Sequence, residues 1–314
     1  MEVIEIAEKA KRIKDNISKV IIGKEEITEK LLTALFAGGH VILEDVPGTG
    51  KTRIAKSLAA SLDLDFNRIQ FTPDLLPADV TGLNIYNQKI AEFQFTKGPV
   101  FTNILLADEI NRATPRTQSG LLECMQEGQV TVDGETRILD APFFIIATQN
   151  PVETAGTYPL PEAQLDRFAM QLAMGYPTQA EEVDIINRYI NDDPLVDLQP
   201  VCTGEDVLNI QDSIKEIHVS DSVKEYIALV IGETRRHPSL ILGANPRGTL
   251  FLLRCAQSYA AIHGKQFVTP DDIKDLAPDV LSHRLLSYTT GDSDQVRGII
   301  REILDKTPVP TEVF

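Results

Sequence analysis

The segment VILEDVPGTGKT, at residues 41–52, joins an apolar run to a glycine-rich turn that ends in Lys51 and Thr52. Gly48 and Gly50 allow backbone N–H groups to turn toward an anion, and Lys51 can reach the outer phosphates of a nucleotide. The hydroxyl of Thr52 can ligate Mg²⁺ at the start of a helix whose dipole favours negative charge. The segment therefore predicts a strand, a phosphate-binding loop and a helix in succession.

The loop departs from the strict phosphate-loop pattern at Asp45, where G-x-x-x-x-G-K-[ST] requires a glycine. That first glycine serves the tight turn rather than contact with phosphate, so Asp45 weakens the match without abolishing it. The alternative is a glycine-rich turn between a strand and a helix that holds no ligand. The rest of the chain has to distinguish the two.

The composition is that of an acidic globular protein. The 46 acidic and 30 basic side chains give a formal net charge of −16, so the average field repels nucleic acid and anionic membranes. Three widely separated cysteines without C-x-x-C spacing indicate free thiols in a reducing compartment. Neither an amino-terminal signal pattern nor an apolar stretch of about 18 residues is visible. We expect a cytoplasmic protein that neither spans a membrane nor binds nucleic acid.

Apolar runs alternate with helical segments through the first half of the chain. The predicted strands lie at 41–43, 67–71, 104–107, 143–147 and 169–174. The predicted helices lie at 2–19, 24–37, 51–62, about 74–80 and 115–127. Several strands are apolar throughout, which is typical of a parallel sheet covered on both faces. The alternation predicts a doubly wound α/β fold.

Two segments interrupt this alternation with patterns typical of β-hairpins. Residues 82–98 alternate apolar and polar side chains around a polar turn. Residues 129–140 contain Asp133-Gly134, a strong signal for a tight hairpin turn. We therefore expect both segments to be hairpin insertions in the α/β domain.

The predicted elements change near Gly175 and Pro177, after which helices predominate and almost no strand is predicted. These two residues therefore mark a domain boundary. We expect the α/β domain to span residues 1–175 and a smaller helical domain to span residues 176–314. Thr269-Pro270 marks one helix start in the second part, with proline at the first helical position.

Two consecutive acids, Asp108 and Glu109, end the apolar run at residues 104–107. Asp108 can hold Mg²⁺ and Glu109 can polarise an attacking water, as phosphoryl transfer to water requires. Solvated acids at a strand end are the alternative. A glycine-rich loop and an acidic pair that both follow predicted strands are, however, hard to obtain by chance, and they would meet at one edge of a parallel sheet. The combination predicts a magnesium-dependent nucleotide site.

Three further polar residues are candidates for the same site. Asn150 follows a predicted strand, where its amide could orient the water or contact the γ-phosphate; a strand cap is the alternative. Arg167 could reach the γ-phosphate of a neighbouring subunit if nucleotide sits between subunits, and is otherwise a surface ion pair. Arg247 lies in the first turn of a predicted helix, where positive charge opposes the dipole unless an anion such as phosphate is near. The alternative is an exposed arginine at a helix start.

Taken together, these segments resemble the AAA+ ATPases and, within them, the MoxR family. The resemblance is carried by the motifs PGTGKT, LLADEINRA, ATQNP, PLPEAQLDRF and a late PRG. It implies an AAA+ P-loop core with a five-stranded parallel sheet in the order 5-1-4-3-2 and a smaller, all-helical lid. It also implies ATP and Mg²⁺ as cofactors and assembly into a ring, most often a hexamer, in which the hairpins tend to face the pore or a client.

The resemblance assigns roles to the candidate residues. It makes Asn150 sensor 1, Arg167 a finger acting in trans and Arg247 sensor 2. The nucleotide phosphates would contact the loop residues Pro47, Gly48, Thr49, Gly50, Lys51, Thr52 and Arg53.

The adenine pocket would be lined by Ile21, Ile22 and Gly23, for which an ordinary interhelix turn is the alternative. Arg112 and Arg116 would either contact a neighbouring subunit or form surface ion pairs.

The sequence therefore predicts an Mg²⁺-dependent ATPase that uses hydrolysis to rearrange a protein client, such as a von Willebrand factor type A domain protein. Two other functions fit the same residues. One is a nucleotide-gated binding module with incidental turnover. The other is a subunit that, like that of magnesium chelatase, couples ATP to metal insertion.

Overall fold

A five-stranded parallel sheet forms the centre of the computed structural model, which describes residues 1–44, 48–150, 156–288 and 293–310. Its strands are β1 (Val41–Glu44), β2 (Phe66–Gln70), β5 (Ile104–Asp108), β8 (Phe144–Gln149) and β9 (Met170–Leu172). They are ordered β2-β5-β8-β1-β9, which is the predicted order 5-1-4-3-2 read from the other edge. The predicted fold class is thereby confirmed.

The helices of the first part are α1 (Val3–Ile17), α2 (Glu25–Phe36), α3 (Lys51–Ser61), α4 (Pro77–Thr81), α5 (Pro115–Glu127) and α6 (Glu162–Leu165). Those of the second are α7 (Gln179–Tyr189), α8 (Gly204–Ser213), α9 (Asp221–Thr234), α10 (Pro246–Ile262), α11 (Pro270–Leu281) and α12 (Ser293–Lys306). Short 3₁₀ turns lie at Ile110–Arg112, Ile214–Glu216 and Ser282–Arg284.

Helices cover both faces of the sheet because successive side chains of each strand point in opposite directions. In β5, Leu105 and Ala107 belong to a buried cluster shared with α5. Ile104 and Leu106 belong to a second cluster that includes α1, α2 and α3 and continues into the helical second part. This two-sided burial explains why the strands are apolar throughout rather than alternating.

The parallel strands all end at one edge of the sheet, and in three of them the last residue is less buried than the residues before it. Glu44, Asp108 and Gln149 end β1, β5 and β8 in this way. Leu43 of β1 is in register with Thr148 of β8. The register therefore brings the segments that follow these strands close together at the carboxyl edge.

Both segments that interrupt the alternation are antiparallel hairpins. β3 (Gly82–Asn87) pairs with β4 (Glu92–Lys97), and β6 (Gln129–Val132) pairs with β7 (Glu135–Ile138). Asp133 and Gly134 both have positive φ, at 52° and 83°. Two successive left-handed residues match the twist of the flanking strands, which is the reason why Asp-Gly favours a two-residue turn.

The second part of the chain is a helical lid whose described strands are limited to one short pair, β10 (Leu240–Leu242) and β11 (Leu286–Ser287). Helix α10 packs on α1 and α2, and α11 packs beside β9. The lid and the sheet therefore share one continuous apolar core. Within the described ranges, no helix is both long enough and apolar enough to cross a bilayer.

Candidate active site

A cleft of about 1050 Å³ opens at the carboxyl edge of the sheet. It is lined by the start of α3, by the ends of β2 and β5, by the segment between α1 and α2, and by α7. Polar groups lie at the sheet end of the cleft, whereas the α7 end combines apolar and aromatic walls with polar side chains such as Glu182 and Asp193. The cleft therefore offers polar surroundings to phosphates at one end and a partly apolar wall to a base at the other.

The sheet end of the cleft is built on Gly48 and Gly50, whose φ angles are 88° and 94°. A side chain strains the backbone at such angles, so glycine is required here by conformation. Gly50 is the N-cap of α3, and no side chain among the described residues caps that helix. The first N–H groups of an uncapped helix end are donors for an anion. Pro47 and Asp45, which the sequence placed in this loop, lie outside the described residues.

The side chains that follow the loop also line the cleft, since Thr49, Lys51, Thr52 and Arg53 are all among its walls. Arg53 lies over the ring of Tyr189, 4.5 Å from its centroid, and its Nη1 is 2.8 Å from Oδ1 of Asp193. The hydrogen bond to Asp193 raises the pKa of Arg53. Arg53 therefore ties the first turn of α3 to the segment after α7.

Asp108 and Glu109 are oriented together by one hydroxyl. Thr148, which is fully buried, donates from Oγ1 to Oδ1 of Asp108 at 2.6 Å and accepts the backbone N–H of Glu109 at 2.8 Å. Glu109 has φ 54° and ψ 50°, a left-handed conformation that costs a non-glycine residue about 1 kcal/mol or more. The Thr148 hydroxyl thus fixes the carboxylate of Asp108 and the strained backbone at Glu109, and both acids line the cleft.

Two residues of β2 contact these acids and were missed by the sequence reasoning. Arg68 donates from Nη2 to Oδ2 of Asp108 at 2.6 Å, and Gln70 donates from Nε2 to Oε2 of Glu109 at 2.7 Å. They lie two positions apart on one face of β2 and flank the buried Ile69. That alternation was visible in the sequence, but only the pairing of β2 with β5 places it beside the acids.

The oxygen ligands available in the cleft fit Mg²⁺. The Thr52 hydroxyl and the Asp108 carboxylate both line it, and Mg²⁺ is usually held by one or two carboxylates together with substrate phosphates. Among the residues that the structure describes, no group of three His, Cys, Asp or Glu side chains could hold a metal alone. A metal ion here would depend on the phosphates for the rest of its ligands.

The α7 end of the cleft is lined by Ile21 and Ile22, while Gly23, which the sequence also placed in an adenine pocket, is not among the described residues that line it. Gly23 has φ 69° and lies directly against the Glu181 side chain, so it serves the turn between α1 and α2. Tyr189 closes this end by donating its hydroxyl to the carbonyl of Val20 at 2.6 Å. The apolar walls and the aromatic ring suit a planar base.

The remaining candidates divide between the cleft and the surface around it. Asn150 lines the cleft and is 5% exposed. Neither Arg167 nor Arg247 is among the described residues that line it. Arg247 pairs through Nη1 with Oδ2 of Asp166 at 3.0 Å, so within this chain the anion at the start of α10 is a carboxylate. Burial, together with the charge of Arg247, lowers the pKa of Arg167.

The arginines that follow the acidic pair differ in their surroundings. Arg112 donates from Nη1 to Oε2 of Glu109 at 2.9 Å, so its contact in this chain is an ion pair at the candidate site. Arg116 is exposed in the first turn of α5. The structure of one chain does not bring Arg116 to the cleft.

Comparison with known proteins shows which family the chain is similar to. Residues 40–170 match the model of the ATPase family associated with various cellular activities (AAA), and residues 232–303 match the AAA lid domain. The chain is 51% identical to the uncharacterized protein YeaC of Bacillus subtilis, over 95% of this chain and 94% of that protein. It is 39% identical to Chaperone MoxR1 of Mycobacterium tuberculosis, over 94% of this chain and 80% of that protein.

The similarity extends to a solved structure. The crystal structure of a candidate ATPase from Cytophaga hutchinsonii superposes with a TM-score of 0.91 at 40% identity, over 98% of this chain and 97% of that one.

Proposed function

The chain belongs to the MoxR family of AAA+ ATPases, and from that premise we propose that it couples Mg²⁺-dependent ATP hydrolysis to the rearrangement of a protein client. One observation carries the proposal. The buried Thr148 hydroxyl aims Asp108 and Glu109 into the cleft that also contains Lys51 and Thr52. A metal ligand, a water-orienting acid and the phosphate-binding residues therefore face one space.

The chemistry needs positioning and charge rather than a covalent intermediate. Lys51 and the N–H groups at the start of α3 hold the phosphates, and Thr52 and Asp108 hold the metal ion. When bound, Mg²⁺ neutralises charge that develops on the phosphates. Glu109 orients the attacking water. Asn150, which lines the same cleft, contacts the water or the γ-phosphate in this proposal.

The position of Arg167 supports assembly into a ring. It is not among the described residues that line its own cleft, as expected for a residue that contacts nucleotide in a neighbouring subunit. A finger of this kind contributes roughly 10³–10⁵ in rate where it has been measured. We infer a homo-oligomeric ring, most simply a hexamer, in which Arg167 acts in trans and Arg247 senses the γ-phosphate.

The hairpin of β3 and β4 supports contact with a protein client. Several of its apolar side chains face solvent: Phe93 is 71% exposed and its cross-strand neighbour Tyr86 is 50% exposed, with ring centroids 5.3 Å apart. Ile85, on the opposite face of the hairpin, is also 50% exposed. Exposed apolar side chains that lie together, as Tyr86 and Phe93 do, mark interaction sites. The relative from Mycobacterium tuberculosis is named a chaperone. For this chain we propose a chaperone-like role toward a protein client, such as a von Willebrand factor type A domain protein, in the cytoplasm and without nucleic acid.

The test replaces Glu109 by glutamine, which keeps the shape of the side chain and removes its charge. We expect Glu109→Gln to retain ATP affinity within about two-fold and to lose turnover by at least about 10²-fold, because the water loses its orienting acid. Glu225→Gln, at an exposed position of α9, is the matched control and should behave as the native protein.

Steady-state hydrolysis by Glu109→Gln at the native rate would refute the assigned role. A second measurement distinguishes rearrangement of a client driven by ATP hydrolysis from a nucleotide-gated binding module. If Glu109→Gln with ATP changes the client as well as the native protein does, ATP acts as a gate and turnover is incidental.

A further inference from the structure

The segment that carries Arg167 is held by the lid rather than by the sheet alone. Asp166, immediately before Arg167, is 6% exposed and lies between two lid arginines. Oδ2 of Asp166 is 3.0 Å from Nη1 of Arg247, and Oδ1 is 3.2 Å from Nε of Arg284. Arg247 begins α10 and Arg284 ends the 3₁₀ turn after α11, so two separate lid elements meet on one carboxylate.

Arg284 also forms hydrogen bonds to the backbone of this segment. Its side chain is 0% exposed, and its guanidinium donates to the carbonyl oxygens of Asp166, Phe168 and Ala169. His283 lies 3.1 Å, through Nε2, from the same Phe168 carbonyl. The planar, five-donor guanidinium suits such a cluster of acceptors, and lysine could not reproduce it. The backbone on both sides of Arg167 is therefore bonded to the lid.

The energetic consequence is that the segment cannot leave the lid without cost. An arginine this buried needs its partners, because removing one side of a buried pair leaves a desolvated charge unpaired. The guanidinium of Arg284 also lies over the Phe251 ring of α10, with Cζ 5.0 Å from the centroid. A displacement of the lid therefore shifts Asp166, and with it the adjacent Arg167.

We propose that Asp166 and Arg284 form a positioning pair that makes the placement of Arg167 depend on the lid of its own subunit. Since Arg167 serves the site of the neighbouring subunit, this pair transmits the state of one lid to hydrolysis in the next subunit. The inference rests on the proposed function, in which Arg167 acts in trans. It assigns roles to two residues outside the cleft, neither of which touches substrate.

The experiment uses mixed assemblies in which each full-length chain supplies one half of an active interface. Lys51→Ala chains donate Arg167 but cannot hydrolyse ATP, and Arg167→Ala chains have an intact cleft but donate no finger. We expect the mixture to recover activity that neither protein has alone. Failure to recover it would refute the trans assignment, and the positioning role would fall with it.

The second arm adds Asp166→Asn to one partner at a time, with assembly monitored by native mass spectrometry. On the Lys51→Ala donor, we expect kcat of the mixture to fall at least about ten-fold with KM for ATP nearly constant, because misplacing a group that acts in the transition state lowers kcat. On the Arg167→Ala acceptor, the loss should be several-fold smaller.

A general structural defect would lower kcat equally whether Asp166→Asn is on the donor or on the acceptor chain. Equal losses of kcat, or no loss when the substitution is on the donor, would overturn the positioning role. Arg284→Lys on the donor is the second variant should Asp166→Asn fail to fold. It keeps the charge but not the fork of donors, and we expect the same one-sided loss of kcat. Full activity of the Arg284→Lys mixture would also overturn the inference.

Discussion

Replacing Thr148 by valine tests the centre of the site directly, because it removes one hydroxyl and keeps the volume of the side chain. Two groups lose a partner. Oδ1 of Asp108 loses a donor at 2.6 Å, and the backbone N–H of Glu109 loses an acceptor at 2.8 Å. Thr148 is fully buried, so water does not readily replace the missing hydroxyl.

The magnitude follows from these two bonds. A neutral hydrogen bond contributes about 1 kcal/mol to stability and one to a charged group about 1.5–3 kcal/mol. Arg68 still contacts Oδ2 of Asp108, which limits the loss of order at that carboxylate. We expect the free energy of unfolding of Thr148→Val to fall by about 2 kcal/mol. We expect kcat to fall at least about ten-fold, since both acids lose their orientation.

Thr148→Ser is the matched control, because it keeps the hydroxyl and loses only a methyl group. Its free energy of unfolding should fall by about 1 kcal/mol, with kcat within about three-fold of the native value. Urea denaturation and steady-state ATP hydrolysis measure both quantities. If valine and serine lowered kcat equally, or if valine left kcat unchanged, the orienting role of Thr148 would be wrong.

Two other predictions concern charge. Arg68→Gln removes the cation beside Asp108 and should therefore strengthen Mg²⁺ binding. We expect the Mg²⁺ concentration that half-saturates binding of a fluorescent ATP analogue to fall about two- to five-fold, while Arg68→Lys stays near the native value. A rise in that concentration for Arg68→Gln would contradict the prediction. Burial lowers the pKa of His40 from 6.5 to about 4. In the folded protein, Nδ1 of His40 accepts the backbone N–H of Ile145 at 3.1 Å, and Nε2 lies 3.1 Å from the carbonyl oxygen of Met125. The unfolded chain binds that proton more readily, so stability present above pH 6.5 should be lost as pH falls from 6.5 toward 4, by up to about 1.4 kcal/mol per pH unit. Denaturation of His40→Gln should show a smaller loss over that window, and an identical pH dependence would count against the assignment.

Much of the fold was accessible from the sequence because its signals are local. The apolar runs of β5 and β8 are buried on both faces, so their composition alone indicated central parallel strands. The order of the strands could not be predicted from such local signals. It came from the resemblance of the motifs to a family, since strand order depends on crossovers that no short window records.

The candidate site divides in the same way. Lys51 and Thr52 follow β1 after one loop, and Asp108 and Glu109 stand at the end of β5, so the sequence could predict that they share one edge of a parallel sheet. Thr148 directly followed the predicted strand at 143–147, yet nothing in the sequence distinguished it from an ordinary buried threonine. Its role depends on the register that sets β8 beside β5.

Local signals in the sequence thus indicated the class of fold and predicted the glycine loop and the acidic pair, because glycine conformation and hydrophobic burial act on neighbours in the chain. The placement of Arg68 and Gln70 beside the acids depends on the pairing of β2 with β5. The contact between Asp166 and Arg284, 118 positions apart in the chain, depends on the docking of the lid against the sheet. Ion pairs and hydrogen bonds act over a few ångströms of space, and which distant residues come that close is settled only when the whole chain packs.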